Sequence, residues 1–245
     1  MIAMKSEWEY RRDLVFVCRM VYDRALVTAM DGNVSLRLPD GSILLTPSGC
    51  CKGFVAEDEL IRIDLEGNVL SGYGRPSSEI RMHTLAYKLR PDVGGVVHCH
   101  PPTAIAFSLA GLSLEDCLMP EVILSIGAIP TASYATPTTE DLPKSLERCF
   151  REGDAVIMER HGAVTLGRDV LMAFFNMERL EHVAHIVYLA RTLGSLRTLP
   201  PEEVERLKKI RTELGIKGPA YRCHVCGAPT ADEGAASATS TKESR

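Results

Sequence analysis

The sequence lacks a basic excess, a long apolar run and a cysteine framework, and each absence removes a class of function. Its 28 Lys and Arg fall short of its 32 Asp and Glu, leaving a formal net charge of −4. There is no bulk field for nucleic acid, so a bound phosphate must be held by a few placed groups. No stretch approaches the ~18 apolar residues that span a bilayer. Met1 to Arg12 reads MIAMKSEWEYRR, without the apolar core of a signal peptide. The expected location is therefore cytoplasmic. The 8 cysteines are mostly scattered in apolar contexts such as Cys18, Cys117 and Cys149, which suits reduced core thiols better than disulfides.

What is present is apolar content of 45% in 245 residues, enough for one sizeable core. A single domain is expected over residues 1–220. Residues 221–245 form a tail that carries Cys223-His224-Val225-Cys226, and from Thr230 its Ala, Ser, Thr and Glu predict disorder.

Leu14, Val17, Cys18, Val21 and Leu26 recur at near-helical spacing, predicting a helix over Trp8 to Thr28 that Asp31-Gly32 follows. Val34 to Leu38 alternates apolar and polar, Pro39-Asp40-Gly41 turns, and Ile43 to Leu45 returns as the second strand of a hairpin. Short strands at Leu60 to Asp64 and Val69-Leu70 extend the sheet. Ser77 or Ser78 is expected to cap a helix reaching Arg90, ended by Pro91.

Gly95 to His100 reads as a buried strand stopped by Pro101-Pro102, with a helix over Thr103 to Ala110. A strand near Ala128 to Tyr134 and a helix near Thr139 to Phe150 follow. Ala155 to Met158 and Ala163 to Leu166 flank Arg160-His161-Gly162 as two strands. Val170 to Leu193 is a long helix with Leu171, Phe174, Phe175, Leu180, Val183 and Val187 as its apolar stripe. Strands and helices mix without a regular βαβ repeat. The expected fold is α/β, a mixed and largely antiparallel sheet covered by helices on both faces.

In a strand, residues i and i+2 share a face, so His98 and His100 can offer two imidazoles to one ion while Cys99 points away. His161, followed by Gly162, is the best third ligand. Three neutral nitrogens and an open position describe a catalytic rather than a structural metal site. The competing reading is three core histidines satisfied by backbone. Two on one strand face, ending at Pro-Pro, weigh against it.

Glu79 lies in Pro76-Ser77-Ser78-Glu79 at a predicted helix N-terminus, where negative charge is favoured. It either caps the helix or, beside a metal, serves as ligand and acid/base. Asn33, Ser48, Gly49, Ser77 and Ser78 are ordinary turn residues singly, and together a neutral cradle for a phosphate. Lys52, in Cys50-Cys51-Lys52-Gly53, reads as a solvated loop lysine, with contact to an anion as the alternative. Glu178, Glu181, His182 and His185 on the last helix read as a solvated or interface face rather than a ligand set.

In order along the chain, GNVS (Gly32 to Ser35), TPSG (Thr46 to Gly49), PSSE (Pro76 to Glu79), HCH (His98 to His100) and RHG (Arg160 to Gly162) resemble the class II aldolase/adducin family. Within it the L-fuculose-1-phosphate aldolase branch is most similar, over about Trp8 to Leu193. The resemblance implies a three-layer α/β/α fold and a homotetramer with active sites at subunit interfaces. It implies Zn(II), with Mn, Co or Fe as alternatives, on Glu79, His98, His100 and His161. It implies a substrate phosphate on Asn33, Ser48, Gly49, Ser77 and Ser78, and a catalytic Glu79. The reaction implied is reversible cleavage of a ketose 1-phosphate, L-fuculose-1-phosphate-like or a 5-deoxy- or 5-methylthio-ribulose 1-phosphate, to dihydroxyacetone phosphate and an aldehyde.

Three rivals remain. A ribulose-phosphate 4-epimerase typically shows KPSG and PSSD, where this chain has Thr46 and Glu79. A methylthioribulose-1-phosphate dehydratase shows a PSAE-like motif, where this chain has Ser78. An adducin-like interaction domain would keep the fold without the site. The tyrosine that the aldolases use to protonate the aldehyde oxygen has no counterpart in Leu118-Met119-Pro120-Glu121-Val122, which leaves Glu121 or Tyr134 as substitutes, or the role missing. The fuculose enzyme's C-terminal tyrosine is also missing from Thr212 to Gly215. Cys223 and Cys226 look like half of a zinc knuckle without its second half.

Overall fold

A computed structural model describes residues 5–216. The tail motif Cys223-His224-Val225-Cys226 and the segment after Thr230 lie outside the described residues.

Helix α1, Glu7–Asp23, starts on a reciprocal cap in which the Ser6 side chain accepts from the Glu9 N–H and the Glu9 carboxylate accepts from the Ser6 N–H. It stops short of Thr28 because Ala25 takes a positive φ of 53°. The hairpin follows as β1, Asn33–Arg37, and β2, Ile43–Leu45, then β3, Ile61–Ile63, and β4, Val69–Ser71. Helix α2 is Ile80–Leu89, β5 is Gly95–Cys99 and α3 is Pro102–Leu109. After α4, Pro120–Ser125, come β6, Thr131–Ala132, α5, Asp141–Glu152, β7, Ala155–Met158, and β8, Gly162–Gly167. Helices α6, Val170–Leu193, and α7, Pro201–Glu213, complete the described residues.

The strands form one 8-stranded sheet in the order β4-β3-β2-β1-β5-β8-β7-β6. Every pairing is antiparallel except β6 with β7. Alternation along the central strands sorts side chains into two cores. Val34, Leu36, Val97 and Cys99 pack with α1, α3 and α6, while Val96 packs with α2 and α5 on the other face. The mixed sheet with a helical layer on each side is the α/β architecture expected. Buried polar groups tie α6 to β8: Thr165 Oγ1 donates to Ala173 O at 2.7 Å and Asn176 Nδ2 to Leu166 O at 2.8 Å.

Four expectations are corrected. The strand near Ala128 to Tyr134 shrinks to Thr131–Ala132, because Pro130 has no N–H to give and Ile129 makes only an isolated bridge to Leu114. On α6, Leu171 and Phe175 are 38% and 41% exposed, one helical step beyond the stripe that Ala173, Met177 and Ala184 continue. Helix α2 begins at Ile80 with Glu79 in the cap position and no side-chain capping bond. Ser77 contributes only a 3.3 Å contact from the Glu79 N–H. Helices α4 and α7 were not anticipated; they pack on each other through Ile123 and Val204.

Candidate active site

The sheet places the histidines. Asn33 of β1 pairs with His98 of β5, and His98 in turn with Val164 of β8. His100 follows β5 by one residue, and His161 occupies the turn between β7 and β8. The three ring centroids stand 5.0, 5.0 and 5.3 Å apart and tilted, so the rings converge rather than stack. A nitrogen from each lies within 4.8 Å of the others. Gly162 permits this approach. A Cβ there would sit 2.4 Å from Cys99 O and 2.8 Å from the His100 ring. The Cys99 carbonyl and the rings of His98 and His100 crowd this glycine.

Hydrogen bonds fix which nitrogens face inward. His98 Nδ1 lies 2.9 Å from Ala163 O, and a carbonyl only accepts, so Nδ1 carries the proton and Nε2 presents a lone pair. Asp31 stands 3.6 Å from His100 Nδ1, which favours the proton there as well. His100 Nε2 then faces His98 Nε2 at 3.3 Å, lone pair toward lone pair. Protonating His100 is no remedy, since burial, then the neighbouring His98 and His161, pull it down to about 4. His161 Nδ1 is buried without a hydrogen-bond partner among the described residues. Three imidazole nitrogens with an adjacent carboxylate suit zinc or a similar divalent ion.

Glu79 completes the cluster. Its Oε2 is 3.3 Å from His98 Nε2 and its Oε1 3.2 Å from His161 Nε2. Its turn toward the histidines explains why it does not cap α2. Burial alone would raise its pKa, but positive charge on the side of His98 and the Asn33 N–H outweigh that and hold it well below the usual carboxylate range; with neutral imidazoles that charge would come from a cation they share.

Behind Glu79 runs a buried chain that the sequence reading did not single out. Asn33 Nδ2 donates to Glu79 Oε2 at 2.8 Å and to Ser77 Oγ at 3.1 Å. Its Oδ1 must therefore accept, and the donor is His83 Nε2. His83 Nδ1, left as acceptor, takes the Ser35 hydroxyl at 2.7 Å, and Ser35 Oγ contacts Tyr87 OH at 2.8 Å. Every donor has an acceptor only if His83 is neutral, and burial, followed by the His98 charge, pushes its pKa down to about 3. The signal was available: Glu79 at the cap of α2 and His83 and Tyr87 within it are spaced i, i+4, i+8, opposite Asn33 and Ser35 at i, i+2 on β1.

The remaining sequence candidates meet in one cleft of about 180 Å³, lined by Ser48, Gly49, Ser77, Ser78, Glu79, His100 and His161 among others. Ser48 N–H donates to Arg75 O at 2.8 Å, and Pro47 bridges Pro76, which joins the two small-residue loops. Asn33 lines the same cleft, although its amide is engaged with Glu79 and Ser77. Lys52 is a correction: it is 2% exposed, not solvated, and lines this cleft too. Neither Glu121 nor Tyr134 lines it, and both are exposed. Glu181 is not a solvated residue either; its carboxylate accepts the Thr103 and Ala104 N–H groups at 2.9 and 3.0 Å, holding the start of α3.

Comparison with known proteins places this arrangement. An L-fuculose phosphate aldolase of Methanococcus maripaludis (strain C5) is 34% identical over 182 residues, covering 74% of this chain and 97% of that protein. A 3-oxo-tetronate 4-phosphate decarboxylase of Pectobacterium atrosepticum is 31% identical over 211 residues, covering 84% and 95%. The solved structure of an L-fuculose 1-phosphate aldolase superposes with a TM-score of 0.78 at 26% identity, over 85% of this chain and 98% of that one. The Class II Aldolase and Adducin N-terminal domain family matches residues 12–188, a span that holds every residue of the cluster and the cleft. This chain belongs to the class II aldolase and adducin family.

Proposed function

We propose that the chain is a divalent-metal lyase that breaks the C3–C4 bond of a ketose 1-phosphate, one carbon removed from its ketone, releasing dihydroxyacetone phosphate and an aldehyde. The observation that carries the reading is the Glu79 carboxylate set 3.2 and 3.3 Å from two inward-facing histidine nitrogens. His98, His100 and His161, with Glu79, would hold the ion, zinc in the first instance. When bound, it supplies positive charge where negative charge develops as the bond breaks.

Glu79 carries the proton on carbon. In the condensation direction it removes the proton, and in cleavage it returns it to the carbon that keeps the bonding electrons. A carboxylate held ionised is in the form that condensation requires. Asn33, pinned through His83, aims Glu79 Oε2. Ser48, Gly49, Ser77 and Ser78, with Asn33, would receive the phosphate through hydroxyls, amide and backbone N–H groups. The homotetramer with interfacial sites belongs to the same proposal and is tested by solution mass.

A second reading, decarboxylation of a 3-oxo-tetronate 4-phosphate, is favoured by one observation: no tyrosine lines the cleft among the described residues. Loss of carbon dioxide from that acid leaves the same three-carbon phosphate, and the departing carbon dioxide exchanges no proton. Retro-aldol cleavage must take one from the C4 hydroxyl.

The test is to incubate the zinc- or manganese-loaded protein with L-fuculose 1-phosphate, ribulose 1-phosphate, 5-deoxyribulose 1-phosphate, 5-methylthioribulose 1-phosphate and 3-oxo-tetronate 4-phosphate. Dihydroxyacetone phosphate is coupled to a reductase. Release from a ketose phosphate establishes the aldolase, and release from the keto acid alone establishes the decarboxylase. Water loss or epimer formation without triose phosphate sinks both.

A further inference from the structure

Among the described residues Arg90 and Lys52 are deeply buried cations, and they are treated differently. Arg90, 8% exposed, meets Asp92 at 2.7 Å and Asp154 at 2.9 Å. Lys52, 2% exposed, forms no ion pair with any described carboxylate. Its ammonium donates to Met30 O at 2.8 Å and Cys50 O at 2.7 Å. An ammonium has three N–H groups, so one donor is left over. Burying a charge without its opposite is costly, and carbonyl dipoles compensate only part of that cost.

The location says what the missing partner is. Met30 lies just before Gly32-Asn33, and Cys50 just after Ser48-Gly49, so Lys52 ties together the two loops that carry Asn33, Ser48 and Gly49 of the small-residue cradle. It lines the same 180 Å³ cleft as Ser48, Ser77 and Ser78. The other charged side chains there are Asp31 and Glu79, both negative, and the histidines. Hydroxyls and amides can orient a phosphate, but they cannot offset the repulsion from those two carboxylates.

We propose that Lys52 is the positively charged member of the substrate-phosphate subsite, its unused N–H reserved for a phosphate monoester oxygen. The inference rests on the cradle reading given under Proposed function. It adds that the subsite selects for charge as well as shape, so an unphosphorylated sugar is rejected because it leaves the buried ammonium without a counter-charge.

Inorganic phosphate tests this apart from turnover. Calorimetric titration of the metal-loaded full chain is run for wild type, Lys52→Met and Lys52→Arg, alongside thermal melting. Wild type is expected to bind phosphate with an affinity that falls as salt rises. Lys52→Met should weaken binding by about 10- to 100-fold, the worth of one charge-assisted hydrogen bond. Lys52→Arg should recover most of it. With the sugar phosphate, Lys52→Met should raise KM far more than it lowers kcat.

Phosphate binding by Lys52→Met equal to wild type would overturn the proposal while the cradle stands, and equal loss in a folded Lys52→Arg would reduce Lys52 to a loop tie. Wild type that binds no phosphate removes the cradle and the proposal together. If Lys52→Met does not fold, nitrogen-15 lysine resonances of wild type decide. One buried ammonium must shift with phosphate and not with chloride at equal ionic strength, and an unmoved signal refutes the assignment.

Discussion

Two parts of this molecule carry nearly the same side chains. One is Glu79 with His98, His100 and His161; the other is Glu178 and Glu181 with His182 and His185 on α6. The second borders the larger cleft, about 580 Å³ against 180 Å³. Yet only the first converges. Its histidines come from a strand end and a tight turn, where antiparallel register fixes each ring, and His98 is fully buried. On α6 the residues share one helix face but spend themselves separately. Glu178 pairs with Arg24 at 3.0 Å, Glu181 holds the start of α3, and His182 and His185 are exposed. Composition and cleft size do not make a site; convergence of donors with lone pairs left over does.

The sharpest way to break that contrast is His98→Ala. It should abolish stoichiometric metal binding, read by metal analysis after gel filtration, because it removes the best-fixed of the three nitrogens. Retained metal would place the ion elsewhere. Glu79→Gln should keep most of the metal yet cut turnover by about 10²- to 10⁴-fold, the usual worth of a general acid/base. Full activity would remove Glu79 from the proton's path.

A smaller effect is expected behind the site. His83→Leu leaves Asn33 Oδ1 without its donor and should lower turnover by about 10- to 100-fold, with His83→Gln less affected because it keeps an amide N–H. The same residue sets an acid limit. The unfolded chain protonates His83 near 6.5 and the folded chain only near 3. Below 6.5 the unfolded state therefore binds more protons, and stability must fall as pH drops from about 6.5 toward 3. Urea midpoints across that window should decline in wild type and decline less in the His83 variants. The smallest effect belongs to the α6 cluster: His182→Ala with His185→Ala should leave metal content unchanged and stability within about 0.5 kcal/mol. Loss of metal there would erase the distinction between the two groups.

The cluster was legible in the sequence because strand geometry is simple. The i, i+2 spacing of His98 and His100 and the Pro-Pro stop need only a period of two to be read. The hairpin and the full span of α6 were readable for similar reasons of periodicity and capping. Lys52 was not, because nothing local distinguishes a buried lysine from a solvated one. Its burial depends on Met30, Cys50 and the packing of α1, where Tyr22 lies against Gly53. Helix α7 escaped notice because Val204 is its only buried residue, too little for a periodic stripe. The chain through Asn33, His83, Ser35 and Tyr87 had its spacing in plain view. Its meaning appeared only once β1 was laid against α2.

X-ray absorption at the metal edge of the zinc-loaded full chain tests the central claim most directly, because the chain also offers Cys223, His224 and Cys226 as a rival for the ion. The account predicts only nitrogen and oxygen neighbours at about 2.0–2.2 Å, with imidazole scattering that His98→Ala disrupts. Sulfur neighbours at about 2.3 Å, unchanged in His98→Ala, would contradict it.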